Sequence, residues 1–382
     1  MNKVLLGIEN IDNYSNIFKD KRVGLITNPT GIDSKFKSSI DILREKTNLV
    51  ALFSPEHGLR ASIQAGMKLD TYIDDETGIT VYSLYGATKK PSKEIMDLVD
   101  IIAIDIQDNG SRYYTFIYTM AYCMQACAEY GKTFVVFDRP NPINGVQVEG
   151  NKLDVEKYRS FVGYYEMVQR HGLTMGELAK LFNEEYGIGC KLEVIPMVGW
   201  ERWMDFEDTK LPWVIPTPNL PTIASAYAYN ATCIFEGTNV AEGRGTTTPF
   251  ELIGAPWFNS EQLARELNGL KIEGVYFRPQ WFTPTFSKYA GTLCGGVYVH
   301  ITDHHKFNSV NCSFILLDHI RNNYSEHFKI NPPYVVGRPS LFHFEAGSDI
   351  FIEPTMDING QLEVLNHDSN EFKEIRKKYL LY

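Results

Sequence analysis

Leu49-Val50-Ala51-Leu52-Phe53 runs directly into Ser54-Pro55-Glu56-His57-Gly58. A short apolar run stopped by turn-forming residues reads as a strand buried on both faces. In an open parallel α/β sheet, ligands bind beyond the carboxyl ends of the strands, so Glu56 and His57 stand where chemistry is done. The same pattern recurs twice downstream. Residues 101–106 lead into Gln107-Asp108-Asn109-Gly110-Ser111-Arg112, and residues 133–137 lead into Asp138-Arg139-Pro140-Asn141-Pro142. Three strands ending in three polar clusters are expected to face one cleft.

Working outward from that stretch, residues 22–28 form a first strand and residues 38–46 an amphipathic helix, which opens a βαβ unit. A strand over 79–84, a short helix over 92–99 and a long helix over 114–130 that stops at Gly131 extend the alternation. Thr174-Met175-Gly176-Glu177 has the spacing of a capping box, and a further strand is expected over 191–197. Strand and helix in alternation predict a parallel sheet covered on both faces. Pro212, Pro216, Pro218 and Pro221 then interrupt the pattern, since proline suits neither a helix interior nor a central strand. The fold class is therefore α/β: a Rossmann-like parallel-sheet domain over residues 1–225, followed by a smaller α+β auxiliary domain over 226–382. In the second part, helices are expected at 260–267 and 310–322, with extended alternating stretches at 296–301 and 351–358.

A chain of 382 residues suits two domains at about 100–200 residues each. The net charge of −10 comes without a basic run, which argues against nucleic acid as a partner. No apolar window approaches the length of a membrane span, and residues 4–8 are too short for a signal-peptide core, so a cytoplasmic protein is expected, or a secreted or periplasmic one if a leader has been removed. A homodimer is the assembly allowed for. Six cysteines do not make a disulfide framework, and Cys123 and Cys127, four apart on one helix, read as core.

Glu56 could act as a general acid or base, with His57 orienting it or titrating with it, although a Glu beside a turn also serves as a local cap. Asp105 lies inside an apolar strand and needs a partner, either as hydrogen-bonded structure or as part of a polar site. Asp108 follows it. Arg112, at the entry to the long helix, could help hold a carboxylate. Asp138 and Asn141 are braced by prolines, which suits either positioned side chains or a plain turn. The densest polar stretch is Glu236-Gly237-Thr238-Asn239-Val240-Ala241-Glu242-Gly243-Arg244-Gly245, a poor core and a plausible binding loop. No dinucleotide loop, P-loop, G-x-S-x-G or H-E-x-x-H motif occurs, so no cofactor and no metal are expected. Asp303-His304-His305 reads as a solvated turn. Aromatic residues reach 13%, and the five tryptophans in expected loops would suit sugar rings.

Taken together, Ser54-Pro55-Glu56-His57-Gly58, Asp138-Arg139-Pro140-Asn141-Pro142, Pro218-Asn219-Leu220-Pro221-Thr222, the loop from Glu236 to Thr246, and Gly254-Ala255-Pro256-Trp257 resemble the exo-β-N-acetylmuramidase family NamZ. The resemblance spans nearly the whole chain. It implies a Rossmann-like domain with an auxiliary C-terminal domain that completes the cleft, and release of N-acetylmuramic acid from the non-reducing ends of peptidoglycan fragments such as MurNAc-GlcNAc. It also implies that Glu56 is the catalytic glutamate. Tyr229-Asn230-Ala231 departs from the Tyr-Pro-Gly of the family.

Glycoside hydrolysis usually needs a second carboxyl. Asp105, Asp108, Asp138, Glu236 and Glu242 are the candidates, with Asn141 and Asn239 as further sugar contacts and Arg112 or Arg244 for the lactyl carboxylate. The partner implied is a small sugar or peptidoglycan fragment. A non-catalytic muropeptide sensor is the alternative.

Overall fold

The computed structural model describes residues 3–56, 58–60, 70–85 and 89–382. Seven strands make the first sheet: β1 (Arg22–Thr27), β2 (Asn48–Ser54), β3 (Tyr72–Ile73), β4 (Thr80–Ser83), β5 (Ile101–Asp105), β6 (Thr133–Phe137) and β7 (Lys191–Ile195). Their order is β3-β4-β2-β1-β5-β6-β7, parallel throughout except for β3. The chain starts in the middle at β1, runs out to one edge, then returns to run out to the other. This is the doubly wound pattern expected from the alternation, with its switch point between β1 and β5.

The central strands are closed on both faces, which explains their near-continuous apolar sequence. Val23, Leu25, Leu52, Ala103 and Val135 face one layer of buried residues, while Ile26, Phe53, Ile102, Ile104 and Val136 face the other. Each large apolar side chain buried in this way stabilises the fold by about 1.5–3 kcal/mol. The helix Phe116–Tyr130 is buried along most of its length, including Cys123 and Cys127, and ends where Gly131 adopts a left-handed φ of 63°. The capping box of Thr174 and Glu177 forms as expected at the start of the helix Met175–Glu184.

The smaller sheet is antiparallel, with β8 (Leu252–Ala255), β9 (Val275–Phe282) and β10 (Cys294–Ile301) in the order β8-β10-β9. Helices Ser260–Gly269 and Ser309–Asn323 form where expected and pack over it in a second core. Residues 351–358 are not extended. They hold the end of a short helix, Asp349–Ile352, and lead to Asp357, which caps a helix over Ile358–Arg376. Phe351 is fully buried and stacks on Phe314 at 4.2 Å, so tertiary packing rather than strand pairing satisfies the apolar residues there. The proline-rich segment ends in the helix Ile223–Thr232, along which the chain passes from one sheet to the other. No helix among the described residues is long and apolar enough to cross a membrane.

Candidate active site

The register brings the ends of β1, β2 and β5 level, with Ile26 beside Phe53 and Thr27 beside Asp105. All three sequence clusters do leave one edge of the sheet. They do not share one cavity, because β1 and β5 lie between β2 and β6. At about 4.8 Å per strand, Asp138 stands about 14 Å along the sheet from the end of β2.

The switch-point crevice between β1 and β5 is closed by Arg139, Gln107, Phe206 and residues 211–214, which leave only about 20 Å³ of space. Asp105 is fully buried there. It receives Arg139 Nε at 2.5 Å and a guanidinium nitrogen at 3.0 Å, and it accepts Ser39 Oγ. The Asp inside the strand is thus a hydrogen-bonded structural group, and it does not line the cavity that holds Glu56. Asp138 accepts the Gly176 N–H at 2.7 Å, Thr174 Oγ1 at 2.7 Å and Tyr382 Oη at 2.8 Å, and so ties β6 to a helix start and to the chain end. Gly176 is required at that approach, since a Cβ would stand 2.9 Å from Asp138 Cγ.

Burial pushes Asp138 up to about 7, with Glu177 adding to it, against the hydrogen bonds from Gly176, Thr174 and Tyr382. An unfolded aspartate releases its proton near pH 4. Between that value and about 7 the folded chain keeps a proton that the unfolded chain has lost. This contribution to stability is complete below about pH 4 and is lost as pH rises, with a slope of up to about 1.4 kcal/mol per pH unit. Asp138→Asn is expected to flatten that slope. Urea midpoints for the two chains at about pH 5 and about pH 8 would show it, and equal slopes would refute it.

Glu56 opens into a different cavity, with about 130 Å³ of enclosed space and an open mouth. Thr115 Oγ1 donates to Glu56 Oε2 at 2.7 Å. Thr115 is the residue before the long helix, and it makes no side-chain cap to its own backbone, so the hydroxyl that would ordinarily cap a helix positions the acid instead. Tyr113, Tyr114, Thr217 and Asn219 continue the wall. Tyr85 lies near the same carboxylate, and burial together with the negative charge of Glu56 pushes its hydroxyl up. Burial lowers the Lys89 ammonium, against the opposing charge of Glu56. His57 lies outside the described residues.

The far wall comes from the second half of the chain: Tyr229, Glu236, Arg244 and Phe250. Glu236 sits on a 3-10 turn, Cys233–Gly237, and pairs with Arg244 at 2.6 Å. Arg244 also lies 3.3 Å from Glu242, whose other oxygen meets Lys288 at 2.8 Å. Gly243 and Gly245 flank Arg244 with φ of 79° and 83°, and a Cβ on Gly245 would stand 2.3 Å from the Phe286 carbonyl. Only glycine allows this turn. Burial works against the charge on Arg244, but Glu236 and Glu242 outweigh it and push the guanidinium up. Burial would raise Glu242, yet Lys288 and Arg244 hold it below its ordinary value. Beneath them Glu345 is buried, and burial with the charge of Glu236 pushes it well above the carboxylate range.

Several expected contacts do not line this cavity. Arg112 is fully buried and donates to the backbone carbonyls of Phe344 at 3.3 Å and Glu345 at 2.7 Å, so its fork joins the two halves of the chain rather than holding a carboxylate. Asn141 donates to Leu173 O, and Asn239 bonds the backbone at residues 327 and 329. Asp108 is buried behind Tyr114, bonded to the Gly110 N–H at 2.7 Å. None of the tryptophans lines the cavity; its aromatic wall is tyrosine and phenylalanine. Asp303-His304-His305 forms a turn with His305 exposed, while His304 stacks on Tyr227 at 3.8 Å and meets Asp205 at 3.2 Å.

Cys233, Glu236 and Glu345 bring a thiol and two carboxyl groups within 4.8 Å of one another. The positive charge at Glu236 is already supplied by Arg244, and burial pushes the Cys233 thiol up, toward its neutral form.

Sequence reasoning passed over Thr115, Tyr113, Tyr114, Thr217 and Tyr229. Only the aromatic pair after Gly-Ser-Arg offered a signal, and aromatic pairs are ordinarily core.

Two carboxyl groups, Glu56 and Glu236, thus line one cavity at the strand ends of a doubly wound α/β frame. Models of the exo-β-N-acetylmuramidase NamZ N-terminal and C-terminal regions match residues 23–224 and 227–382. The chain belongs to that family. It is 48% identical to the peptidoglycan β-N-acetylmuramidase NamZ of Bacillus subtilis strain 168, over all of this chain and 92% of that protein. Among solved structures, a DUF1343 family protein from Bacteroides fragilis superposes with a TM-score of 0.90 at 37% identity, covering 100% of this chain and 99% of that one. A second from the same organism gives 0.78 at 33%, with the same coverage.

Proposed function

We propose that this chain is an exo-acting glycosidase that releases N-acetylmuramic acid from the non-reducing end of peptidoglycan fragments such as MurNAc-GlcNAc. The observation that carries the reading is the meeting of Glu56, held by Thr115, with the Glu236–Arg244 pair across one bounded cavity. Family membership supports it.

Glu56 protonates the leaving oxygen as the glycosidic bond breaks. Glu236 is the opposing carboxyl and stabilises the positive charge that develops on the sugar. Arg244, at the same wall, takes the lactyl carboxylate that distinguishes muramic from glucosamine sugars. A bounded cavity suits removal of a terminal sugar better than an open groove would. Six buried, unpaired cysteines are compatible with action in a reducing compartment, on fragments taken into the cell.

Paired chromogenic glycosides of β-MurNAc and β-GlcNAc test the reading directly. Release is expected from β-MurNAc alone. Release from neither, with tight binding of MurNAc, would favour a sugar sensor.

A further inference from the structure

Glu345 lies beneath the Glu236 wall without lining the cavity itself. It stands on the helix Leu341–Ala346, which packs tightly on the turn that carries Glu236: a Cβ on Gly237 would stand 2.4 Å from the Phe342 backbone. Glu345 is 2% exposed, its Oε1 accepts the Cys233 thiol at 3.8 Å, and its Oε2 has no hydrogen-bond partner. That sulfur and one oxygen each of Glu236 and Glu345 lie within 4.8 Å of one another.

The charges around this carboxyl are already matched. Arg244 faces Glu236 at 2.6 Å and Glu242 at 3.3 Å, and Lys288 faces Glu242 at 2.8 Å, so two cations meet two carboxylates. Arg112 gives its fork to the backbone carbonyls of Phe344 and Glu345. An ionised Glu345 would therefore be a buried anion with no cation of its own, which is strongly destabilising. Burial and the charge of Glu236 push the carboxyl well above its ordinary range, against the pull of Lys288 and Arg244, and it keeps its proton at neutral pH.

Substrate changes that balance. Once Arg244 takes the lactyl carboxylate, a third anion meets the same two cations. Glu236 then shares its partner at the moment it must stay ionised to face a developing positive charge. Among its described neighbours, Glu242 is an ionised acceptor and the Cys233 thiol a weak donor, whereas a protonated Glu345 has a strong O–H to give. We propose that Glu345 is a positioning residue for Glu236, a neutral acid whose O–H turns to the Glu236 carboxylate when Arg244 engages the substrate. A hydrogen bond forms and no proton is transferred. This role rests on the glycosidase reading and adds to it the group that keeps the second carboxyl in place.

The test follows turnover of the β-MurNAc nitrophenyl glycoside, whose leaving group needs little help from Glu56, by wild type, Glu345→Leu and Glu345→Gln. Leucine removes the donor, and glutamine keeps a neutral donor of the same size. Glu345→Leu is expected to lower kcat about tenfold, the effect of losing a hydrogen bond to a charged group, with a smaller change in KM. Glu345→Gln is expected to recover most of that loss. A Gln variant no faster than the Leu variant, or a Leu variant as fast as wild type, would overturn the role. Infrared spectra of resting wild type against Glu345→Gln need neither turnover nor a Leu variant that folds. They are taken at about pH 8, where Asp138 has largely lost its proton. The carbonyl stretch of a protonated carboxyl is expected in wild type and should be missing from the variant; spectra without that difference would overturn the role. Wild type that leaves the glycoside uncut would overturn the glycosidase reading, and the infrared difference separates that failure from an ionised Glu345.

Discussion

Glu56→Gln is expected to lower kcat on MurNAc-GlcNAc by about 10²–10⁴-fold, the usual contribution of a positioned general acid, with little change in KM. The amide has the same size as the carboxyl and retains an oxygen to accept Thr115 Oγ1, so the cavity keeps its shape. What the amide lacks is a proton to give. A nitrophenyl leaving group is stable as an anion and needs little protonation. The loss on a nitrophenyl glycoside should therefore be much smaller than on the disaccharide. That inequality is the signature of an acid. Equal large losses on both substrates would make Glu56 the nucleophile or base instead, and turnover within a few-fold of wild type on both would remove it from the mechanism.

Arg139→Met should act on stability rather than chemistry. It would leave Asp105 buried with Ser39 as its remaining side-chain partner, and breaking a buried pair from one side destabilises by about 3–5 kcal/mol. Replacing both partners, as Asp105→Leu with Arg139→Met, is expected to recover much of that loss, because no stranded charge remains. Urea unfolding of wild type and the two variants gives the comparison. Turnover per folded molecule should stay near wild type, since neither residue lines the Glu56 cavity. A stable Arg139→Met protein with a collapsed kcat would return this pair to the active site.

Much of the frame was legible because it rests on local rules. Apolar runs closed by Ser-Pro, Gln-Asp and Asp-Arg became β2, β5 and β6, and the Thr174 capping box and the Gly131 stop formed as read. The position of Glu56 at a cavity was legible because the residues just after a parallel strand are exposed at one edge by construction. Residues 351–358 were misread because a short apolar alternation looks the same in a strand and in a helix that buries one phenylalanine.

The site was only half legible. That Asp105 ends a strand and Asp108 and Asp138 follow strands says nothing of their distance from Glu56, which strand order sets: β1 stands between β2 and β5, and one more step separates β6. Arg112 and Asn239 have the chemistry of ligand contacts, yet backbone carbonyls from distant segments claim them. Thr115, which the sequence reading passed over, stands before the long helix and holds Glu56.

By itself, the sequence determined the sheet, its covering helices, the family and the one acid at the end of β2, since periodicity, turn chemistry and motif order are properties of neighbouring residues. Only the tertiary structure decided which polar groups share a cavity with that acid. Glu236, Arg244 and Tyr229 lie more than a hundred residues from Glu56 in the chain and reach it because the second core packs over the first. Burial and proximity depend on that packing, and so does the difference between a carboxyl that lines a cavity and one that closes a strand end.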